Sequence, residues 1–321
     1  MSEDQTPVPS QEPVLLPPHQ PTLLERFGFS PVVFAFLSLF LVSVIYVFGG
    51  IVFALFFGAT PTAANVYIFR LTAMFSEIAF FLVPALILVW AITHTPSDFF
   101  RLRRPGVLQI VLPLIGVICL QVMSQIYMVY QSRIPLPQGL EDFIDQYKQL
   151  YDQATLLIAG SGSVKELIWV IVVIGVTPAI AEEFLFRGLI QRSLQRAIPP
   201  LNAAVITGIL FGVFHLNPSS LIPLVAIGVY LGYLAYCADS IWVSVIAHFF
   251  YNTVVAVVLY FRFDDDYVVT GNAEQMSNGM LLFTFWLFGL IFILSTLYFA
   301  RISRRRDIAP EPHEDDQDHP V

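Results

Sequence analysis

The chain has 321 residues, 56% of them hydrophobic and only 12% charged, with a mean hydropathy of +0.72. A soluble globular domain carries about twice that charged fraction, so a water-soluble protein is excluded and a polytopic membrane protein is expected. The net charge of −8 says little about partners, because much of the acid lies in the tails and in two polar loops; no nucleic-acid partner is expected.

Residues 1–29 are polar and proline-rich, with no basic stretch leading into an apolar core. They are expected to form a disordered cytoplasmic tail, leaving the first span to act as its own insertion signal. Eight apolar segments come next, at residues 31–57, 65–92, 107–130, 166–187, 202–217, 221–236, 241–261 and 280–300. Most reach the roughly 20 residues that cross about 30 Å of hydrocarbon, whereas the fifth and sixth are short enough to need tilt or shelter. The second segment carries Arg70 and Glu77, seven residues apart on nearly one face. They are expected either to pair within the bundle or to line a polar path. Residues 131–165 read as a long polar loop, and "AIPPLN" (residues 197–202) as a proline turn between segments four and five. Cys119 and Cys237 lie in or beside apolar runs and read as packing residues. Residues 301–321 are basic and then acidic, a second cytoplasmic tail. The predicted fold class is thus all-α: a polytopic membrane helix bundle, about eight transmembrane helices around a polar cavity. Its membrane domain is 30–300, and its chemistry is concentrated in 165–260.

Lysine and arginine set the orientation. With an even number of spans both tails share one side, which then holds ten of the sixteen basic residues: Arg26, Arg101, Arg103, Arg104, Arg192, Arg196, Arg301, Arg304, Arg305 and Arg306. The other side holds four, Arg133, Lys148, Lys165 and Arg262. Both termini are therefore expected in the cytoplasm of a multi-pass protein of the plasma (inner) membrane, with the 131–165 loop and "RFDDDY" facing outward.

Ionisable groups inside a bilayer are costly and mark function by default. Glu182, Glu183 and Arg187 come directly after the apolar run "LIWVIVVIGVTPAI" in segment four, and His215 and His248 lie in segments five and seven. Adjacent helical residues point about 100° apart, so the two glutamates cannot share one task. Glu183 and Arg187, four residues apart, are expected to form a neutralising ion pair. Glu182 is left on another face, free to act as a base. Folding segments four and five antiparallel about residues 200–201 leaves His215 about 6 Å short of Glu182, a gap that one water closes. His248 and Asn252 share a face and suit an oxyanion hole. Phe211, one turn before His215, either walls the pocket or packs. The inferred chemistry is water activation by Glu182 and His215 for attack on a peptide carbonyl. The site falls in the cytoplasmic half of the bilayer, so peptides are expected to approach from the cytoplasm.

The three motifs, "EEFLFR" (Glu182, Glu183, Arg187), "FGVFH" (Phe211, His215) and "HFFYN" (His248, Asn252), resemble EExxxR, FxxxH and HxxxN of the CAAX prenyl protease and bacteriocin-processing family, also called Abi. Its eukaryotic branch is the ras-converting enzyme. The resemblance covers about residues 165–260. It implies a bundle of about eight helices around a conical cavity and a metal-independent glutamic endopeptidase without cofactor. In that scheme Glu182 and His215 activate water while His248 and Asn252 hold the oxyanion. Substrates would be membrane-associated or hydrophobic peptides, lipid-anchored ones included. Family members are also credited with bacteriocin maturation, immunity and scaffolding, so the resemblance does not fix the substrate.

Two other readings compete. Glu182, His215 and His248 could ligate zinc with a water as fourth ligand, although no HExxH motif is present. A scaffold or transporter could use the same groups as a proton relay, but the chain lacks paired discontinuous helices in two repeated halves.

Overall fold

A computed structural model of the chain describes residues 28–58, 61–62, 64–261 and 276–306. The greater part of both expected tails and the "RFDDDY" loop lie outside the described residues. The described chain is helical throughout: α1 Pro31–Phe57, α2 Val66–Ile92, the short α3 Pro96–Phe100, α4 Val107–Gln131, α5 Gln138–Ala159, α6 Val164–Leu194, α7 Pro200–Phe214, α8 Leu221–Ala238, α9 Ile241–Phe261 and α10 Asn278–Arg306. Seven helices are long and apolar enough to cross a membrane, and α7, with 15 residues, is a shorter apolar helix. The all-α polytopic bundle expected from the sequence is therefore present.

Helix starts obey local chemistry. Ser30 caps α1 by accepting a hydrogen bond from the Val33 amide at 3.2 Å, with Pro31 in the first turn, where no amide is needed. Ser163 caps α6 in the same way, from the Glu166 amide at 3.3 Å.

Helix α6 is the axis of the bundle. Its segment Phe184–Gln191 is buried at every position, and Leu185, Phe186, Leu189 and Ile190 join the main core. Helix α1 is peripheral and presents Phe40, Phe48 and Leu55 outward, as a lipid-facing helix does. Helices α7 and α8 pack along most of their length. Their contact is made by two small-residue pairs, Gly208 with Gly212 and Gly228 with Gly232, spaced four apart as in closely packed membrane helices. A Cβ on Gly208 would stand 2.4 Å from the Val229 amide nitrogen. Gly208→Val is therefore expected to force the hairpin apart and cost about 1–3 kcal/mol. Thermal unfolding in detergent measures this, and an unshifted transition would contradict the close approach.

The segment read from sequence as an outward polar loop, 131–165, is instead mostly a 22-residue helix, α5. Its inner face carries Ile144, Tyr147, Tyr151, Ala154 and Ile158, with Glu141 and Asp145 beside Ile144 in a smaller pocket, and its outer face Asp142, Gln146, Gln149 and Gln153, a helical period diluted by acids. Phe143 and Leu150 remain 61% and 59% exposed, which suits a helix lying at the membrane interface rather than one crossing it.

Arg70 and Glu77 do not pair. Arg70 Nη1 meets Glu166 Oε1 at 2.7 Å, while its Nε and Nη2 donate to the carbonyls of Ile158 at 2.8 Å and Gly160 at 2.5 Å. This guanidinium satisfies carbonyls that the C-terminus of α5 leaves open and places a cation at the negative end of that helix. Glu77 turns the other way, toward the interior.

Candidate active site

The two glutamates end a short α-helical stretch, Thr177–Glu183, set between two wider π-helical turns, Ile171–Val176 and Phe184–Gln191. Pro178 supplies one cause. It has no amide to give and its ring crowds the preceding turn, so the helix widens there. Such turns shift the register of the residues after them, and here they flank the acids on both sides.

Glu183 is fully enclosed. Its Oε1 accepts from Arg187 Nη1 at 2.8 Å, the i, i+4 pair expected from sequence, and also from His248 Nδ1 at 3.0 Å. Arg187 Nη2 donates to the Gly228 carbonyl at 2.8 Å, and the guanidinium lies 4.5 Å from the centre of the Phe211 ring. One carboxylate thus ties α6 to α9 and, through Arg187, to α8. The second bond is not legible in the sequence, because nothing in the spacing of residues 183 and 248 announces an interhelical contact.

Glu182 faces a cavity of about 570 Å³, together with His215, His248 and Asn252. Its Oε2 stands 4.0 Å from His215 Nε2 and 4.0 Å from His248 Nε2. Those separations are too long for direct hydrogen bonds and suit one bridging water. Both rings are held by their other nitrogen. His215 Nδ1 lies 2.7 Å from the Phe211 carbonyl, which can only accept, so Nδ1 carries the hydrogen and Nε2 points at Glu182. His248 Nδ1 likewise donates to Glu183. Asn252 lines the cavity one turn beyond His248.

Phe211 is 1% exposed and does not line the cavity. Its ring sits behind both imidazoles, at 4.6 Å from His215 and 5.6 Å from His248 between centroids. Of the two roles open to it from sequence, packing is the one it fills.

Two groups beyond the expected set belong to this region. Glu77, on the π-helical turn Glu77–Leu82 of α2, lines the same cavity as Glu182. Tyr147 and Tyr151 of α5 brace the loop after His215: the Tyr147 hydroxyl donates to the Leu216 carbonyl, and Tyr151 meets the Asn217 side chain. Leu216 has φ +50, a left-handed backbone that a leucine adopts only under constraint. Among the described residues, no group of three or more His, Cys, Asp or Glu side chains is arranged to hold a metal ion.

Residues 164–254, from the start of α6 through most of α9, match the family model described as type II CAAX prenyl endopeptidase, Rce1-like. This segment is similar to an Rce1-like CAAX endopeptidase domain. The match covers a little over a quarter of the chain and includes Glu182, Glu183, Arg187, Phe211, His215, His248 and Asn252. Neither a curated protein nor a solved structure matches the chain. The endopeptidase domain and the seven long apolar helices together make the protein an integral, multi-pass membrane peptidase. Helices α1, α2, α4, α5 and α10 lie outside the matched domain, yet α2, α4 and α5 supply walls of its cavity.

Proposed function

We propose that the protein is a metal-independent glutamic endopeptidase that hydrolyses peptide bonds of hydrophobic or membrane-anchored substrates, lipid-anchored ones among them. The observation that carries this reading is the position of Glu182 Oε2, 4.0 Å from the Nε2 atoms of both His215 and His248 at the end of an apolar cavity. A water held there by Glu182 and His215 gives its proton to Glu182, and its oxygen attacks the carbonyl carbon of the substrate. The C–O π electrons move to the carbonyl oxygen, which becomes the oxyanion. As the tetrahedral species collapses, the C–N bond breaks and the leaving nitrogen takes the proton from Glu182. His248 and Asn252 face the oxyanion. Because His248 Nδ1–H is committed to Glu183, its Nε2 donates only when the ring is doubly protonated, and Glu183 then stands beside it as counter-charge.

Cleavage of a quenched hydrophobic peptide by the purified protein in detergent tests the reaction. Turnover should persist in excess chelator, and loss on chelation with recovery on adding zinc would replace this mechanism by a metal one. Asn252→Ala is expected to lower kcat by roughly 10²–10³-fold with KM little changed, the usual effect of losing one oxyanion donor. Unchanged kcat with a raised KM would make Asn252 a substrate contact instead.

In the same reading both termini are cytoplasmic and the host is the plasma (inner) membrane. The end of the bundle that gathers Arg101, Arg103, Arg192, Arg196 and Arg301 supports this orientation.

A further inference from the structure

We propose that substrates reach Glu182 from the arginine-poor end of the bundle, beneath α5, so that this peptidase takes hydrophobic segments presented at the non-cytoplasmic face of the membrane. The proposal rests on the catalytic reading above and on the shape of the cavity, and it reverses the cytoplasmic approach expected from sequence.

The direction of the cavity is written in its walls. Beyond the catalytic groups they are formed by Glu77 of α2, Ser124 of α4, Val255 of α9, and Tyr151 and Thr155 of α5. On its own helix, each membrane-embedded member of this set lies toward the end where α5 sits. Ser124 is seven residues from the end of α4 at Gln131, and Val255 is six from the end of α9 at Phe261. The cavity therefore runs from Glu182 to the underside of α5.

At the opposite end the described residues around Phe184 are closely packed. Phe184 packs against Phe100 at 4.9 Å and Trp242 at 6.2 Å between ring centroids. Gly188 gives its side-chain space to Phe100, whose ring lies 2.6 Å from where a Cβ would stand. Below this plug, Asp239 binds Arg101 at 2.8 Å and Arg103 at 2.7 Å, and the Arg101 carbonyl accepts from the Ile241 amide at 3.1 Å. These contacts join the loop after α3 to the turn between α8 and α9 on the arginine-rich face. Among the described residues this packing opposes the passage of an extended peptide, because every backbone group it carries would need space and a partner there.

Charge identifies the membrane face. Arg101, Arg103, Arg104, Arg192, Arg196 and Arg301 gather at the plugged end, whereas Arg133, Lys148 and Lys165 are at the α5 end. The excess of basic residues marks the plugged end as cytoplasmic. The apolar walls, Ile158, Val173, Ile174 and Leu224 among them, select hydrophobic segments.

Cysteine accessibility in the full chain tests this. With Cys119 and Cys237 replaced by Ala, single cysteines are placed at Ser97→Cys on the plugged end, Gln146→Cys on the outer face of α5, and Ser124→Cys in the cavity wall. Each is exposed to a charged, impermeant thiol reagent in right-side-out and in inverted vesicles. Gln146→Cys and Ser124→Cys should react in right-side-out vesicles, and Ser97→Cys only in inverted ones. Reaction of Ser124→Cys from the face of Ser97→Cys, or from neither face, overturns the proposed route. Reaction of Gln146→Cys only in inverted vesicles overturns the assigned membrane face. Glu182-dependent peptide cleavage by the unsubstituted chain in detergent judges the catalytic reading separately, so failure of one is distinguishable from failure of the other.

Discussion

Glu182→Gln should lower peptide cleavage by roughly 10²–10⁴-fold, the range that a positioned general base contributes, and leave the thermal transition where it was. The amide keeps the size and shape of the side chain but cannot take a proton from water. Nothing structural is lost with the charge, since the nearest partners of Glu182 Oε2 are two imidazole nitrogens at 4.0 Å, beyond hydrogen-bond distance. The measurement is paired: initial rates with a quenched hydrophobic peptide, and thermal unfolding of the same preparations in detergent. Wild-type turnover in Glu182→Gln would end the glutamic mechanism. Lost turnover with a lowered transition would move Glu182 from chemistry to architecture.

Glu183→Gln, one residue along, should behave in the opposite sense and cost about 3–5 kcal/mol of stability. Removing one partner of an enclosed ion pair leaves the other charged and uncompensated in a low-dielectric interior, which is where that magnitude arises. Here the stranded group is Arg187, enclosed among Gly228, Phe211 and Phe186. The same change takes a carboxylate from His248 Nδ1, so activity should fall as well. Adding Arg187→Gln separates the two effects. The double variant removes the stranded charge and should recover much of the stability, yet it should remain slow because His248 still lacks its anionic partner. A double variant as active as wild type would mean that Glu183 serves only Arg187.

The membrane helices and the candidate catalytic helix faces are legible in the sequence for simple reasons. Long apolar runs have few alternatives in a chain this poor in charge, and an i, i+4 spacing puts Glu183 with Arg187 and His248 with Asn252 on shared faces whatever the tertiary fold. Contacts across helices are not legible. Spacing sets Arg70 against Glu77, the acid on its own helix, but its partner Glu166 is 96 residues away. Helix α5 is hidden by composition, since acids interrupt a pattern that Ile144, Tyr147, Tyr151, Ala154 and Ile158 carry at helical spacing. A search for period 3.6 rather than for apolar runs finds it. Depth along a helix, which the sequence does give, says where a site lies but not how each end of the bundle is packed. That depends on Phe100 and Trp242 meeting Phe184.

The brevity of α7 has a consequence for the surrounding lipid. Its 15 residues cover about 22 Å, some 8 Å less than a typical hydrocarbon core. The tip bearing His215 therefore stops beneath the level of ordinary lipid tails, with Tyr147 and Tyr151 filling part of the deficit from above. Lipid beside this hairpin must dip to meet it, at a fraction of a kcal/mol for each ångström of mismatch. Longer acyl chains deepen the dip and load the strain onto the α7–α8 hairpin that sets the distance from His215 to Glu182. Under the proposed mechanism, the length of the host bilayer's fatty acids is then expected to tune the rate of cleavage.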